Sequence, residues 1–404
     1  MVCSFDEEEQ CAAPSHPNIV SPSHHPSLSF LKFGIALIRK NLPLLHRMSG
    51  KKKAYATGGA TFTPRLTPRP QSEKYPQPLE LLYNIVVPYT RAPLLSVLFV
   101  HLIYPTLYLP ALEFCKSSPY LWNDAEKQNR DKVFYSASFV VMKFVVWILV
   151  NGFFYLIERE GWFDRYKLDR KAAQLPSKKL IIENITHVFI GMFVTGPPLL
   201  YFVLYPLSKH FGMPPSDSPL PDNKEMFVIF ALCYILNDWG FYWTHRLLHA
   251  APIYKYIHKQ HHMYTGTVSF AAEHAHIVEI VLSNYLPTLA GLLVTGAHPC
   301  IVFVWIAVRL QQTYEVHSGY CFRGSLLYKI GLTNSDGAAY HDFHHTKNSG
   351  NFGGGMYLDY FFGTMDSYVK VGMAEGLTSG VGRKDPDDAG RSYLRDTGRG
   401  KLKK

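Results

Sequence analysis

The run Phe134–Ile157 extends for about 24 residues and carries a single charged side chain, Lys143. Roughly 20 apolar residues let a helix cross a bilayer. A chain inside lipid must satisfy its backbone N–H and C=O groups internally, which leaves a helix or a closed barrel. Three further stretches share this character. Pro93–Phe114 is interrupted by Pro105 and Pro110, Thr186–Leu207 carries Pro197 and Pro198, and the shorter Met226–Trp243 leads into a histidine motif. Three of the four have the length of a span and the fourth is borderline. A later pair, Ile277–Val294 and Cys300–Val308, is split by Gly296, His298 and Pro299 and reads as a hairpin dipping into the membrane. The alternative, a soluble helical protein, would need four core helices far more apolar than a core normally demands. The mean hydropathy of -0.04 hides this segregation, because polar residues gather in the ends and a few loops.

Charge orients the spans. The loop 158–180 holds Arg159, Arg165, Lys167, Arg170, Lys171, Lys178 and Lys179, whereas 208–225 has only Lys209 and Lys224. The positive-inside rule places the first loop in the cytosol. Counting crossings from there returns the chain to the cytosol at His245, and the hairpin keeps all later histidine motifs on that side. The net charge of +10 lies mainly at the chain ends and beside apolar runs, which fits an anionic membrane surface better than nucleic acid. The expected fold is an all-α integral membrane protein with about four transmembrane helices, a membrane-dipping hairpin and a cytosolic histidine-rich helical cap. Its expected parts are a disordered leader (1–80), a transmembrane region (81–224), a catalytic region (225–370) and a polar tail (371–404). The acidic start does not suit a secretory signal, and Met48 is a possible alternative start. The Lys401-Leu402-Lys403-Lys404 terminus is not a clean dilysine signal.

Six scattered cysteines without a C-x-x-C pair indicate neither a disulfide framework nor a thiolate metal site. Histidine is the unusual residue, with twelve of nineteen between His245 and His345. His245-Arg246-Leu247-Leu248-His249 puts two imidazoles on one helical face. His258-Lys259-Gln260-His261-His262 and His341-Asp342-Phe343-His344-His345 repeat spacings of three and four. One such motif is weak; three beside membrane spans on one side point to metal. Eight histidines exceed one zinc site and suffice for two ions, while imidazole alone does not choose among iron, copper, zinc and nickel. Asp238 and Tyr242 precede His245 at helical spacing, so Asp238 could fix a ligand's tautomer or be a buried polar group held by backbone or water.

These three motifs resemble those of the fatty acid hydroxylase/sterol desaturase superfamily, whose members are integral membrane di-iron enzymes. Ala271-Ala272-Glu273-His274-Ala275-His276, Glu315-Val316-His317-Ser318-Gly319-Tyr320, Asn351-Phe352-Gly353 and Phe362-Gly363-Thr364 look closest to the methylsterol monooxygenases, the sterol 4-methyl oxidases. The resemblance covers roughly residues 225–370. It implies metal ligands His245, His249, His258, His261, His262, His341, His344 and His345, adds His317, and favours His276 over His274. His274 stands where the family pattern has tyrosine, and Ile277 where it has proline. Glu273 and Glu315 rank first among the acids (Asp238, Glu273, Glu279, Glu315 and Asp342) expected to orient rings or temper charge, with a helix-terminal or surface role as the alternative. His101, His187, His210 and His298 are expected to be structural or surface residues.

The resemblance further implies two iron ions, dioxygen as co-substrate, and stepwise oxidation of a sterol 4-methyl group through alcohol and aldehyde to carboxylate. No haem, nicotinamide or iron–sulfur motif is evident, so electrons from NAD(P)H would come through cytochrome b5 and its reductase, at the endoplasmic reticulum membrane. Sterol desaturation, cholesterol 25-hydroxylase-like chemistry and fatty-acyl hydroxylation are alternatives on the same scaffold. A non-catalytic metal carrier fits less well, because a transport path would place ionisable groups within the spans.

Overall fold

The computed structural model describes residues 78–118, 127–168, 172–322, 325–330, 332–333 and 337–368. Residues 1–77 of the expected leader, the tail 371–404, and Arg170 and Lys171 of the basic loop lie outside the described residues. Among the described residues every regular element is helical, apart from one isolated bridge between Lys167 and Tyr320.

Five helices are long and apolar enough to cross a membrane: Tyr89–Ser117, Asn129–Glu160, Lys178–His210, Asn223–Leu248 and Ile277–Thr295. Four contain the apolar runs read from the sequence. The fifth is the first arm of the expected hairpin. The second arm becomes the helix Pro299–Val316, whose residues Pro299–Ile306 are all buried among the other helices. Outward-facing apolar side chains such as Leu98, Val141, Phe202 and Val228 remain exposed, as lipid-facing residues of spans must be.

The prolines do not end the spans. Each π-helical turn, Tyr104–Tyr108, Gly191–Thr195, Leu200–Leu204 and Ile280–Tyr285, is followed by a helical piece with proline in its first two positions. A proline removes one N–H and its ring clashes with the carbonyl four residues back; widening the preceding turn absorbs both. The helix Asn223–Leu248 starts where the Asp222 carboxylate accepts the Glu225 N–H at 2.8 Å. The fifth span packs tightly on this helix, because a Cβ at Gly291 would lie 2.5 Å from Cys233 Cα.

The basic loop folds against the histidine-bearing segments. Leu168 N–H donates to Gly319 O (2.9 Å), Cys321 N–H to Tyr166 O (2.8 Å), and Gln174 Nε2 to Thr346 Oγ1 (3.1 Å). The loop and the motifs therefore share one end of the helices. Lys167 departs from the expected role of a surface charge: it is buried, with Nζ 2.7 Å from Glu158 Oε1.

Candidate metal centre

Four local structures deliver the histidines. His245 lies in the last turn of Asn223–Leu248, and His249 is its C-cap. His317 is the C-cap of Pro299–Val316. A helix C-terminus is the negative end of its dipole, so both caps face a position that favours a cation. His258, His261 and His262 sit on a 3₁₀ helix, His258–Met263. His341, His344 and His345 lie on the α-helix Gly337–Lys347.

Together they form two groups. His245, His249, His258, His262 and His344 make one; His261, His317, His341 and His345 make the other, and within each group the candidate ligand atoms lie within 4.8 Å of one another. Each H-x-x-H-H motif is divided between the groups, so neither motif corresponds to one metal.

Backbone carbonyls set the tautomers. Nδ1 of His245 is 2.8 Å from Phe352 O, of His344 2.6 Å from Gly350 O, of His345 2.8 Å from Tyr264 O, and of His317 2.8 Å from Thr313 O. A carbonyl only accepts, so each Nδ1 carries the proton and each Nε2 presents a lone pair. Those lone pairs converge. Nε2 of His258 is 3.1 Å from Nε2 of both His245 and His262, and His249 is 3.2 Å from His344. In the second group, His317 Nε2 lies 3.3 Å from that of His261 and 2.8 Å from that of His341, and His341 lies 3.1 Å from His345. Ligand nitrogens ~2.0–2.1 Å from a shared ion would stand about 3–4 Å apart. Buried lone pairs facing each other repel unless a cation lies among them, so both groups fit a metal ion.

Burial, reinforced by repulsion among neighbouring imidazoles, holds His249, His258, His261, His262, His341, His344 and His345 well below the usual histidine range. Burial also brings His317 down to about 4. Neutral imidazole is the form that ligates metal.

Of the ten histidines expected as ligands, His276 alone falls outside both groups. It is the N-cap of the fifth span, its Nδ1 accepting the Val278 N–H at 3.2 Å. Its Nδ1 lone pair is committed to that local bond. His274 is buried and stacks on His187, again outside both groups. His298 caps Pro299–Val316, and His101 pairs with Asn223.

The acids vary in role. Asp238 accepts from Tyr89 and Asn237 and so takes the second of its two expected roles, a buried polar group, while His245 Nδ1 uses Phe352 O. Glu273 is taken up by Lys143 Nζ at 2.8 Å and by Tyr314. Glu315 accepts from Gln311 Nε2 at 3.0 Å. Among the described residues, Glu279 brings a carboxylate to a candidate ligand, with Oε2 2.9 Å from His258 Nδ1. Asp359 was overlooked: buried, it accepts the N–H groups of Phe352 and Gly353 at 2.8 and 2.7 Å. The turn-forming run Asn348-Ser349-Gly350-Asn351, just after a histidine motif, was the available signal that this loop needed an anchor.

A cavity of about 1210 Å³ opens from both groups, reaching His245, His258, His261, His317 and His341. Its lining also includes Phe139, Leu199, Leu200 and Leu289 and is predominantly apolar, suited to a lipid chain or ring system.

The fatty acid hydroxylase family profile matches residues 230–364, a region containing all nine grouped histidines. Methylsterol monooxygenase 2-2 of Arabidopsis thaliana is 33% identical over 222 residues, covering 54% of this chain and 80% of the relative. A very-long-chain aldehyde decarbonylase of Oryza sativa subsp. japonica is 32% identical over 222 residues, covering 54% and 79%. A fatty acid hydroxylase of Mycosarcoma maydis is 31% identical over 225 residues, covering 55% of each chain. No solved structure matches.

Proposed function

Because the chain belongs to the fatty acid hydroxylase family, we propose that it is a membrane monooxygenase holding two iron ions and oxidising the 4-methyl group of a sterol. The observation that carries this reading is the convergence of nine histidines as two sets of Nε2 lone pairs, members of both lining a largely apolar cavity. His245, His249, His258, His262 and His344 would hold one ion, and His261, His317, His341 and His345 the other. When bound, the iron pair supplies dioxygen reduction and removal of hydrogen from an unactivated C–H bond.

The protein's part is positional. Phe352, Gly350, Tyr264 and Thr313 carbonyls hold four rings with Nε2 inward. Glu279 faces His258 and offsets the positive charge of an all-imidazole site. The apolar walls exclude water and align the lipid. The 4-methylsterol assignment is supported by the similarity to methylsterol monooxygenases, two of which from Arabidopsis are 33% and 32% identical over 222 and 257 residues.

The proposal extends to cell biology. The basic loop packs beside the histidine motifs, so the positive-inside rule would put the centre on the cytosolic face. Electrons from NAD(P)H would arrive there through cytochrome b5 and its reductase, with the endoplasmic reticulum as the host membrane.

The test uses detergent-purified chain loaded with ferrous iron and supplied with NADH, cytochrome b5, its reductase and a 4,4-dimethylsterol. About two irons per chain and oxidised 4-methyl products, both lost in a His344→Ala, His345→Ala double variant, are expected. Bound iron with no sterol turnover would overturn the substrate and leave fatty-acyl or aldehyde lipids to be assayed by mass spectrometry. Failure to bind iron would overturn the reading altogether.

A further inference from the structure

We infer that Asp359 is a positioning residue for the five-histidine group, acting through two backbone carbonyls and leaving the four-histidine group untouched. This inference rests on the metal-centre reading above.

The segment 348–353 follows an improbable path. Asn348, Gly350 and Asn351 all have positive φ, at 52°, 68° and 54°. Asparagine enters this left-handed region more readily than other non-glycine residues, and the surrounding bonds hold the turn in place. A Cβ at Gly350 would lie 2.1 Å from Thr364 O, so this position also needs glycine for space. Asp359 supplies much of the enforcement. Its two oxygens accept the consecutive N–H groups of Phe352 and Gly353, and the Thr364 hydroxyl also donates to it. Asn351 N–H donates to Thr364 O at 3.1 Å, and Thr364 N–H to Asp359 O at 2.8 Å, closing the loop on the start of the next turn.

The loop also reaches the third motif's helix through Asn351 Nδ2, which donates to Tyr340 O at 2.9 Å, but its bonds to imidazole rings go to one metal position. Gly350 O and Phe352 O, the two carbonyls presented by this loop, orient His344 and His245. Both rings belong to the five-histidine group. The other group draws its carbonyls elsewhere: His317 from Thr313 within its own helix, and His345 from Tyr264. Loss of the Asp359 anchor should therefore turn two rings of one group and none of the other.

The experiment is anaerobic loading of the full chain with ferrous iron, followed by chelator titration and measurement of iron per chain. Circular dichroism and thermal unfolding monitor the fold. Asp359→Asn is expected to weaken one of the two ions by about 10- to 100-fold and leave the other at its native midpoint. In a His344→Ala background the same change should add nothing; in a His341→Ala background it should weaken the remaining ion. Unchanged midpoints in a folded Asp359→Asn chain, or equal weakening of both ions, would overturn the inference. If Asp359→Asn does not fold, Thr364→Val, which removes the hydroxyl donor, takes its place. Weakening of the same single ion supports the inference, and two native midpoints reject it. A native chain that binds no iron overturns the metal-centre reading itself, which is distinct from native loading with an indifferent Asp359.

Discussion

Glu279 Oε2 lies 2.9 Å from Nδ1 of His258, and both side chains are buried. The contact is one of ion-pair proximity, and neither atom makes a hydrogen bond among the described residues. The pairing joins the fifth span to the 3₁₀ helix of the second histidine motif. Four other rings are oriented by carbonyls, whereas His258 has a carboxylate beside it, whose negative charge would favour a cation held on the far side of the ring.

Glu279→Gln keeps the shape and removes the charge. Iron at the five-histidine group should be held about 10- to 100-fold more weakly, with the second ion retained. Chelator titration of the variant checks this, and native retention of both ions would assign Glu279 a packing role only.

Glu273→Gln should behave differently, because Glu273 is committed to Lys143 and Tyr314. Leaving Lys143 without its partner is expected to cost about 3 kcal/mol of stability. Thermal unfolding should fall while iron content stays native; an iron loss in folded protein would return Glu273 to the metal centre.

His276→Ala separates a cap from a ligand. Removing an N-cap acceptor costs on the order of 1 kcal/mol, and both ions should remain. His344→Ala, in contrast, should lose an ion. Elemental analysis of the two variants side by side decides the matter.

His298 provides a pH signature away from the centre. Burial brings it down to about 4, and its Nδ1 accepts the Cys300 N–H at the start of Pro299–Val316. In the unfolded chain it titrates near ~6.5. Between these values the unfolded state binds the extra proton, so the contribution is present above about pH 6.5 and lost as pH falls through about 4. It amounts to about 3 kcal/mol. His298→Asn retains a capping oxygen without titrating. Its stability relative to the native chain should therefore rise on acidification from pH 7 to 4, measured by denaturant unfolding in detergent.

Gly291→Ala places a methyl group against the Cys233 backbone. Helix separation or repacking should cost about 1–3 kcal/mol. A thermal scan checks this, and an unchanged midpoint would mean the fourth and fifth spans can part without penalty.

Much of this protein is written locally. The apolar runs are spans because lipid leaves a backbone no other partner than itself, and nine of the ten expected histidine ligands do enter the two groups. Even the prolines, which looked like interruptions, are absorbed by adjacent π-helical turns. Motif spacing could not reveal how the rings divide. His258 and His262 join one group while His261, between them, joins the other, because residues on one short helix can face different neighbours from distant parts of the chain. The acids were less legible still. Glu273 and Glu315 border the motifs in sequence, yet Glu279 reaches His258 and Asp359 shapes the loop behind His245 and His344. A carboxylate's partner depends on which helices pack together, and that contact is long-range. The kind of fold and the kind of ligand follow from residue chemistry along the chain; the assignment of each ring and each acid arose only when the helices closed on one another.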